Sequence, residues 1–135
     1  MNAKDASYFI ECEPVGKARP RLGRGGVVFT PSKTRKTEAI IGRYLMTRRP
    51  EKITAEMLSE LELSVKLEFI FSRPKSVKRN NHIITPDIDN ICKLVCDACN
   101  GILWHDDCLI TQLQASKRYA KQDEIPGIRI SLYLV

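Results

Sequence analysis

No stretch of the 135-residue chain approaches the ~20 consecutive apolar residues that cross a bilayer, so no membrane span is expected. Met1 to Asp5 lack the apolar core of a secretory signal, and the reading is of a cytoplasmic protein. Cysteine is present in the wrong number and places for a disulfide framework. There are five, four of them crowded between Cys92 and Cys108, and nothing signals export, so reduced thiols are expected. Histidine is scarcer still. His82 and His105 stand alone, and each reads as a loop or boundary residue rather than a ligand. There is no internal repeat, linker or low-complexity tract. Residues 1–135 therefore form one domain, at a length that buries roughly 68–70% of its unfolded surface without a metal or disulfide to hold it.

What the sequence does have is positive charge. Twenty-two Lys and Arg against sixteen Asp and Glu give a net charge of +6 and a pI of about 9.2, a balance that attracts polyanions such as nucleic acid. The excess is concentrated between Lys17 and Lys36 and between Arg73 and Arg79, which an evenly solvated surface would not produce. Lys17, Arg19, Arg21, Arg73, Lys75, Lys78 and Arg79 are accordingly the candidate phosphate contacts.

Alternation of Tyr8, Ile10 and Cys12 with Phe9, Glu11 and Glu13 predicts a first strand ending at Pro14. Gly23, Gly25 and Gly26 allow a hairpin-like loop before Val27-Val28-Phe29 resumes strand-type sequence. Thr30-Pro31 offers an N-cap and N1 proline for a helix bearing Ile40, Ile41, Tyr44 and Leu45, which stops before Pro50. Leu61 to Phe71 is the clearest strand, with apolar residues at every odd position. A polar, aperiodic segment follows from Ser72 to Pro86, and loops of that length are usually functional or mobile. Asp87 or Asp89 can cap a second helix running to about Asn100, with Ile88, Ile91, Leu94, Val95 and Ala98 on one face, Asp89, Lys93 and Asp97 on the other, and Gly101 as C′. Leu109 to Tyr119 and Ile128 to Val135 read as the last two strands. The order β-β-α-β-α-β-β predicts an α+β domain with a mixed or antiparallel sheet and two main helices.

Thr85-Pro86-Asp87-Ile88-Asp89-Asn90 sets two carboxylates two residues apart where loop becomes helix, and Asp106-Asp107 adds two more acids downstream. If Asp87, Asp89 and Asp107 converged to about 4 Å, each pair would repel by ~4 kcal/mol at an effective dielectric near 20, which a cation or a proton must relieve. An all-oxygen donor set suits Mg²⁺ better than zinc. An Asp at a helix start is more often a cap than a ligand, and Lys93 one turn from Asp89 has an ion pair with Asp89 or Asp97 as its ordinary role.

The whole run from Pro86-Asp87-Ile88-Asp89-Asn90 and Lys93 through Asp97-Ala98-Cys99-Asn100-Gly101 to Asp106-Asp107 resembles the RusA-type endodeoxyribonucleases, whose signature is P-D-x-D-N-x-x-K, then D-A-x-N-G, then D-D. Gly16-Lys17-Ala18-Arg19-Pro20-Arg21 and Phe29-Thr30-Pro31 extend the resemblance over nearly the full chain. It implies a homodimer that binds four-way (Holliday) junction DNA and cuts two opposed strands with Mg²⁺, in recombination and repair. It also implies that Asp87, Asp89 and Asp107 are the catalytic, metal-holding acids and Lys93 the essential lysine, with Asp106 less critical. Cys92, Cys96, Cys99 and Cys108 depart from the family pattern, and three thiols on one helix lack the paired loops of a structural zinc site. Trp104 is expected to pack beside the site.

Two other readings compete. A restriction-type nuclease would need an acidic-x-Lys on a later strand, which Asp107-Cys108-Leu109 does not supply. A non-catalytic basic nucleic-acid-binding module would explain the positive segments, yet the acids would only weaken its hold on phosphate.

Overall fold

The computed structural model of the chain describes residues 6–17, 21–26, 28–29, 32–48 and 62–134. Six strands and two helices are found there: β1 (Ala6–Glu11), β2 (Arg21–Leu22), β3 (Val28–Phe29), α1 (Ser32–Arg48), β4 (Leu63–Phe71), α2 (Ile88–Cys99), β5 (Ile110–Tyr119) and β6 (Gly127–Leu134). The fold is the expected α+β arrangement. β1, β6, β4 and β5 form, in that order, a four-stranded mixed sheet, and β2 and β3 pair as a separate short antiparallel ribbon. Thr30 and Pro31, the expected start of the first helix, lie outside the described residues, as do Val27, Pro50, Leu61 and Val135.

Period-two alternation places the core. Tyr8, Ile130, Leu67 and Ala115 align across the sheet in one row, and Ile10, Ile128, Phe69 and Lys117 in the next. Apolar members of these rows face the helices and are buried, apart from the half-buried Ala115 on the edge strand, and each fully buried Leu, Ile or Phe contributes roughly 1.5–3 kcal/mol. The opposite face carries Phe9, Arg129 and Glu68 in register, with Arg129 over the Phe9 ring and 3.7 Å from Glu68.

α1 contributes Ile41 and Leu45 to the core and α2 contributes Ile91, Leu94, Val95, Cys96 and Cys99, and the two helices pack on each other. The apolar stripe of α2 is therefore rotated slightly from the expected face. Ile88 at the helix start is 38% exposed, while Cys96 and Cys99 take core positions because a thiol fills the narrow space under the sheet as a small apolar group. Ile40, likewise expected inward on α1, is exposed. Trp104, expected beside the site, is fully buried in the core, its indole N–H donating to Asn100 Oδ1 at 2.8 Å. Asn100 and Gly101 (φ +78°) close α2 as the turn chemistry predicted.

β4, α2 and β5 form a crossover with β4 and β5 parallel, and this connection positions the candidate site. It brings the loop before α2 and the turn before β5 around the same helix. β5 is an edge strand.

Candidate functional site

The loop from Ser72 to Pro86 reaches α2 by a path pinned along β5, although its length and polarity suggested mobility. Arg73 does most of this pinning: its guanidinium donates to the carbonyls of Ala120 (3.0 Å), Val77 (3.2 Å) and Arg79 (2.8 Å) and lies 5.5 Å from the Tyr119 ring centroid. Tyr119 N donates to Asn80 O (2.8 Å), and the His82 ring stacks on Phe71 with centroids 3.6 Å apart. Lys117, at the edge of a core row, then donates through Nζ to the carbonyls of Ile84 (2.8 Å) and Pro86 (2.7 Å). A cation on a strand thus fixes the backbone that delivers Asp87. The Thr85–Pro86 peptide is cis.

Segment 13–17 holds the other side. Lys17 N donates to Asn90 O at 3.0 Å, and a Cβ on Gly16 would stand 3.1 Å from Pro86 Cβ and 3.2 Å from Asn90 Cβ, so any larger residue would push the loop from the helix start. Lys17 Nζ bridges Glu38 (2.7 Å) on α1 and Asp97 (3.1 Å) on α2, partners that raise its pKa. Lys17 therefore joins the two helices.

Asp87 occupies the N-cap position of α2 in extended backbone conformation, yet its side chain makes no capping bond. Asp106 stands in the same relation to the 3-10 turn Asp107–Leu109. The carboxylates at both positions are thus free of the ordinary structural role of an acid at a helix start. Asp107's carboxyl is held above the usual carboxylate range by partial desolvation and by the hydrogen bond and charge of Asp106, with Asp97 adding. Asp89 lies in the first turn of α2, one turn from Lys93. Asp97 is taken by Lys17, and Lys93 is exposed without an ion-pair partner among the described residues, so its ordinary structural role with Asp89 or Asp97 is not filled.

The structure places Asp107 within electrostatic reach of both Asp106 and Asp97. It does not gather Asp87, Asp89 and Asp107 into one coordination shell: among the described residues no group of three or more His, Cys, Asp or Glu is placed to hold a metal ion. The chemistry of the donors still suits a hard cation, since every candidate is a carboxylate and neighbouring acids already raise Asp107 for want of a counter-charge. Burial pushes the Cys96 thiol up to about 12 and raises Cys92 and Cys99 as well, in keeping with thiols that pack as small apolar groups.

Of the candidate phosphate contacts, Lys75, Lys78 and Arg79 project into solvent from the pinned loop, whereas Arg73 and Lys17 are engaged within the protein. Arg19 lies outside the described residues, and Arg21 is described through its backbone alone. Sequence reasoning missed the positioning residues Lys117, Asn90 and Gly16. The visible signal was a lysine standing between Ala115 and Tyr119 on the face of β5 that turns toward the core.

Comparison with known proteins gives a consistent answer. A family model described as Endodeoxyribonuclease RusA matches residues 11–133. An uncharacterized protein of Bacillus subtilis (strain 168), YqaN, is 27% identical over 133 residues, an alignment that covers 87% of this chain and 90% of the relative.

Proposed function

The chain belongs to the RusA endodeoxyribonuclease family, and from that premise we propose that it is a Mg²⁺-dependent nuclease that resolves four-way DNA junctions by paired cleavage. The observation that carries this reading is the Asp87 carboxylate, which stands at a helix N-cap and caps nothing. A structural acid at that position would bond the helix N–H groups; one kept free is available for other chemistry.

In this reading Asp87, Asp89 and Asp107 would hold the metal, and Mg²⁺ bound there would supply a hard Lewis acid for activating water and holding the scissile phosphate. Lys93, unpaired and one turn from Asp89, meets the phosphate and offsets charge that develops on it. Lys117 is a positioning residue, keeping the Pro86–Asp87 backbone in place. Lys75, Lys78 and Arg79 meet neighbouring phosphates along the DNA.

The test is incubation of the purified protein with a synthetic four-way junction, duplex and single strand, with and without Mg²⁺. Paired nicks confined to the junction and requiring Mg²⁺ are expected. Junction binding without cleavage under any divalent ion would favour a non-catalytic binding module instead. Paired cuts across a two-fold substrate also call for a two-fold enzyme, so sedimentation should give about twice the chain mass. A monomer that makes both cuts would overturn the homodimer.

A further inference from the structure

Beside the acids lies a cleft of about 490 Å³, bordered by Glu13, Val15, Lys33, His82, Thr85 and Pro86. It is contiguous with the proposed cleavage site, since Pro86 forms part of its wall and Asp87 is the next residue. Its volume falls within the range of small-ligand pockets.

Three features define what it can take. The Glu13 carboxylate is fixed, accepting the Ser72 N–H at 3.0 Å and the Ser72 hydroxyl at 2.7 Å. Ionised carboxylates offer about four acceptor positions, so capacity remains for an outside donor. The inner end of the cleft is bordered by Phe71 and His82, whose rings stack on each other at an interplanar angle of 12° and are themselves nearly buried. Burial and the charge of Lys117 lower the pKa of His82, while Glu13 opposes them. Finally, Lys33 from the first turn of α1 brings one positive charge to the cleft.

We propose that this cleft receives one unstacked nucleobase flanking the scissile phosphate, a base bearing an exocyclic amino group that donates to Glu13. The inference rests on the nuclease reading for its substrate and adds a specificity-determining residue to it. Adenine, cytosine and guanine each carry such a donor, whereas thymine has no exocyclic amino group and offers a carboxylate only its N3–H, flanked by two carbonyl oxygens that the carboxylate repels. A base at a branch point has lost a stacking neighbour, so drawing it out costs less than from continuous duplex. Lys33 then lies on the phosphate side of the extruded nucleotide.

The experiment uses four-way junctions with a fixed branch point and A, C, G or T at the nucleotide flanking each cut, and in parallel 2-aminopurine at that position. Amino-bearing bases should be cut about tenfold faster than thymine. The 2-aminopurine should brighten on protein binding without Mg²⁺, as an unstacked base does. Glu13→Gln should level the base preference, and Thr85→Trp, which fills the cleft from an exposed position and leaves Glu13 in place, should abolish the brightening. Unfolding midpoints would show that both variants are folded. Equal rates for all four bases with no brightening would overturn the inference while leaving the nuclease reading standing, as would a preference unchanged in folded Glu13→Gln. If no DNA is cut under any condition, Glu13-dependent brightening would still support the base site although the nuclease reading had failed.

Discussion

At the scale of single residues, the acids separate cleavage from binding. Asp89→Asn keeps side-chain volume and removes a charge that Mg²⁺ requires and that repels phosphate in the metal-free protein. Junction cleavage should fall by at least about a hundredfold, with gel-shift affinity unchanged or tighter, because each 1.36 kcal/mol of lost transition-state stabilisation is a factor of ten. The same outcome is expected for Asp87→Asn and Asp107→Asn, with Asp106→Asn the milder control. Full activity in Asp89→Asn would refute the metal assignment. His82 tests the site's surroundings. Its Nδ1 is buried without a hydrogen-bond partner among the described residues and its pKa is lowered, chiefly by burial, so the folded state holds fewer protons than the unfolded chain as pH falls below the usual 6.5. The stability tied to His82 is complete above that value and is lost below it. Urea midpoints should therefore decline between pH 7 and pH 5, and decline less in His82→Phe, which keeps a ring on Phe71. Asp87, Asp89 and Lys93 were legible as candidates because their spacing along one helix start is local, whereas Asp107, eighteen residues beyond Asp89, was tied to them only through the family resemblance. Lys117 and Glu13 were not legible, since their roles depend on contacts with residues 31 and 59 positions away in the chain.

Among the elements, the strongest signals were periodic. β1, β4, β5, β6 and α2 came from alternation or a helical stripe, because half-burial imprints its period on the sequence. What periodicity does not encode is neighbour order: that β6 lies between β1 and β4 follows from pairings remote in the chain. Gly127 marks that placement. A Cβ there would overlap the Phe9 ring and stand 2.5 Å from Ile10 O, where β1 and β6 cross closely. Gly127→Ala should thus destabilise the sheet by about 1–3 kcal/mol, as overpacking of a tight contact does, with m-value unchanged in urea unfolding. An unaltered midpoint would mean that β1 shifts without cost. The turn that follows β5 is secured separately by Arg118, which donates to both carboxylate oxygens of Glu124 and brings its pKa to about 2.

Across the whole molecule, net charge and its clustering pointed to a polyanion before any motif did, but the basic residues between Arg73 and Arg79 prove unlike once folded. Arg73 spends its donors on loop carbonyls, while Lys75, Lys78 and Arg79 remain exposed. Arg73→Ala should lower stability. Neutralising Lys75, Lys78 and Arg79 together should leave stability nearly unchanged and flatten the dependence of log binding constant on log salt by about three units, near one per contact. A slope that does not move would remove this loop from the DNA interface.

The sheet's strand order also governs when the protein can exist during synthesis. Among the described strands β1 pairs only with β6, so a nascent chain carries β1 unpaired until residues 127–134 have been made. β4 and β5 can associate beforehand, but β1 must wait for β6, and such long-range closure is slow. A nascent chain halted before Gly127 would carry every acid of the site and no complete sheet to arrange them. The proposed activity would then arrive only with β6, after the basic and acidic segments have been made.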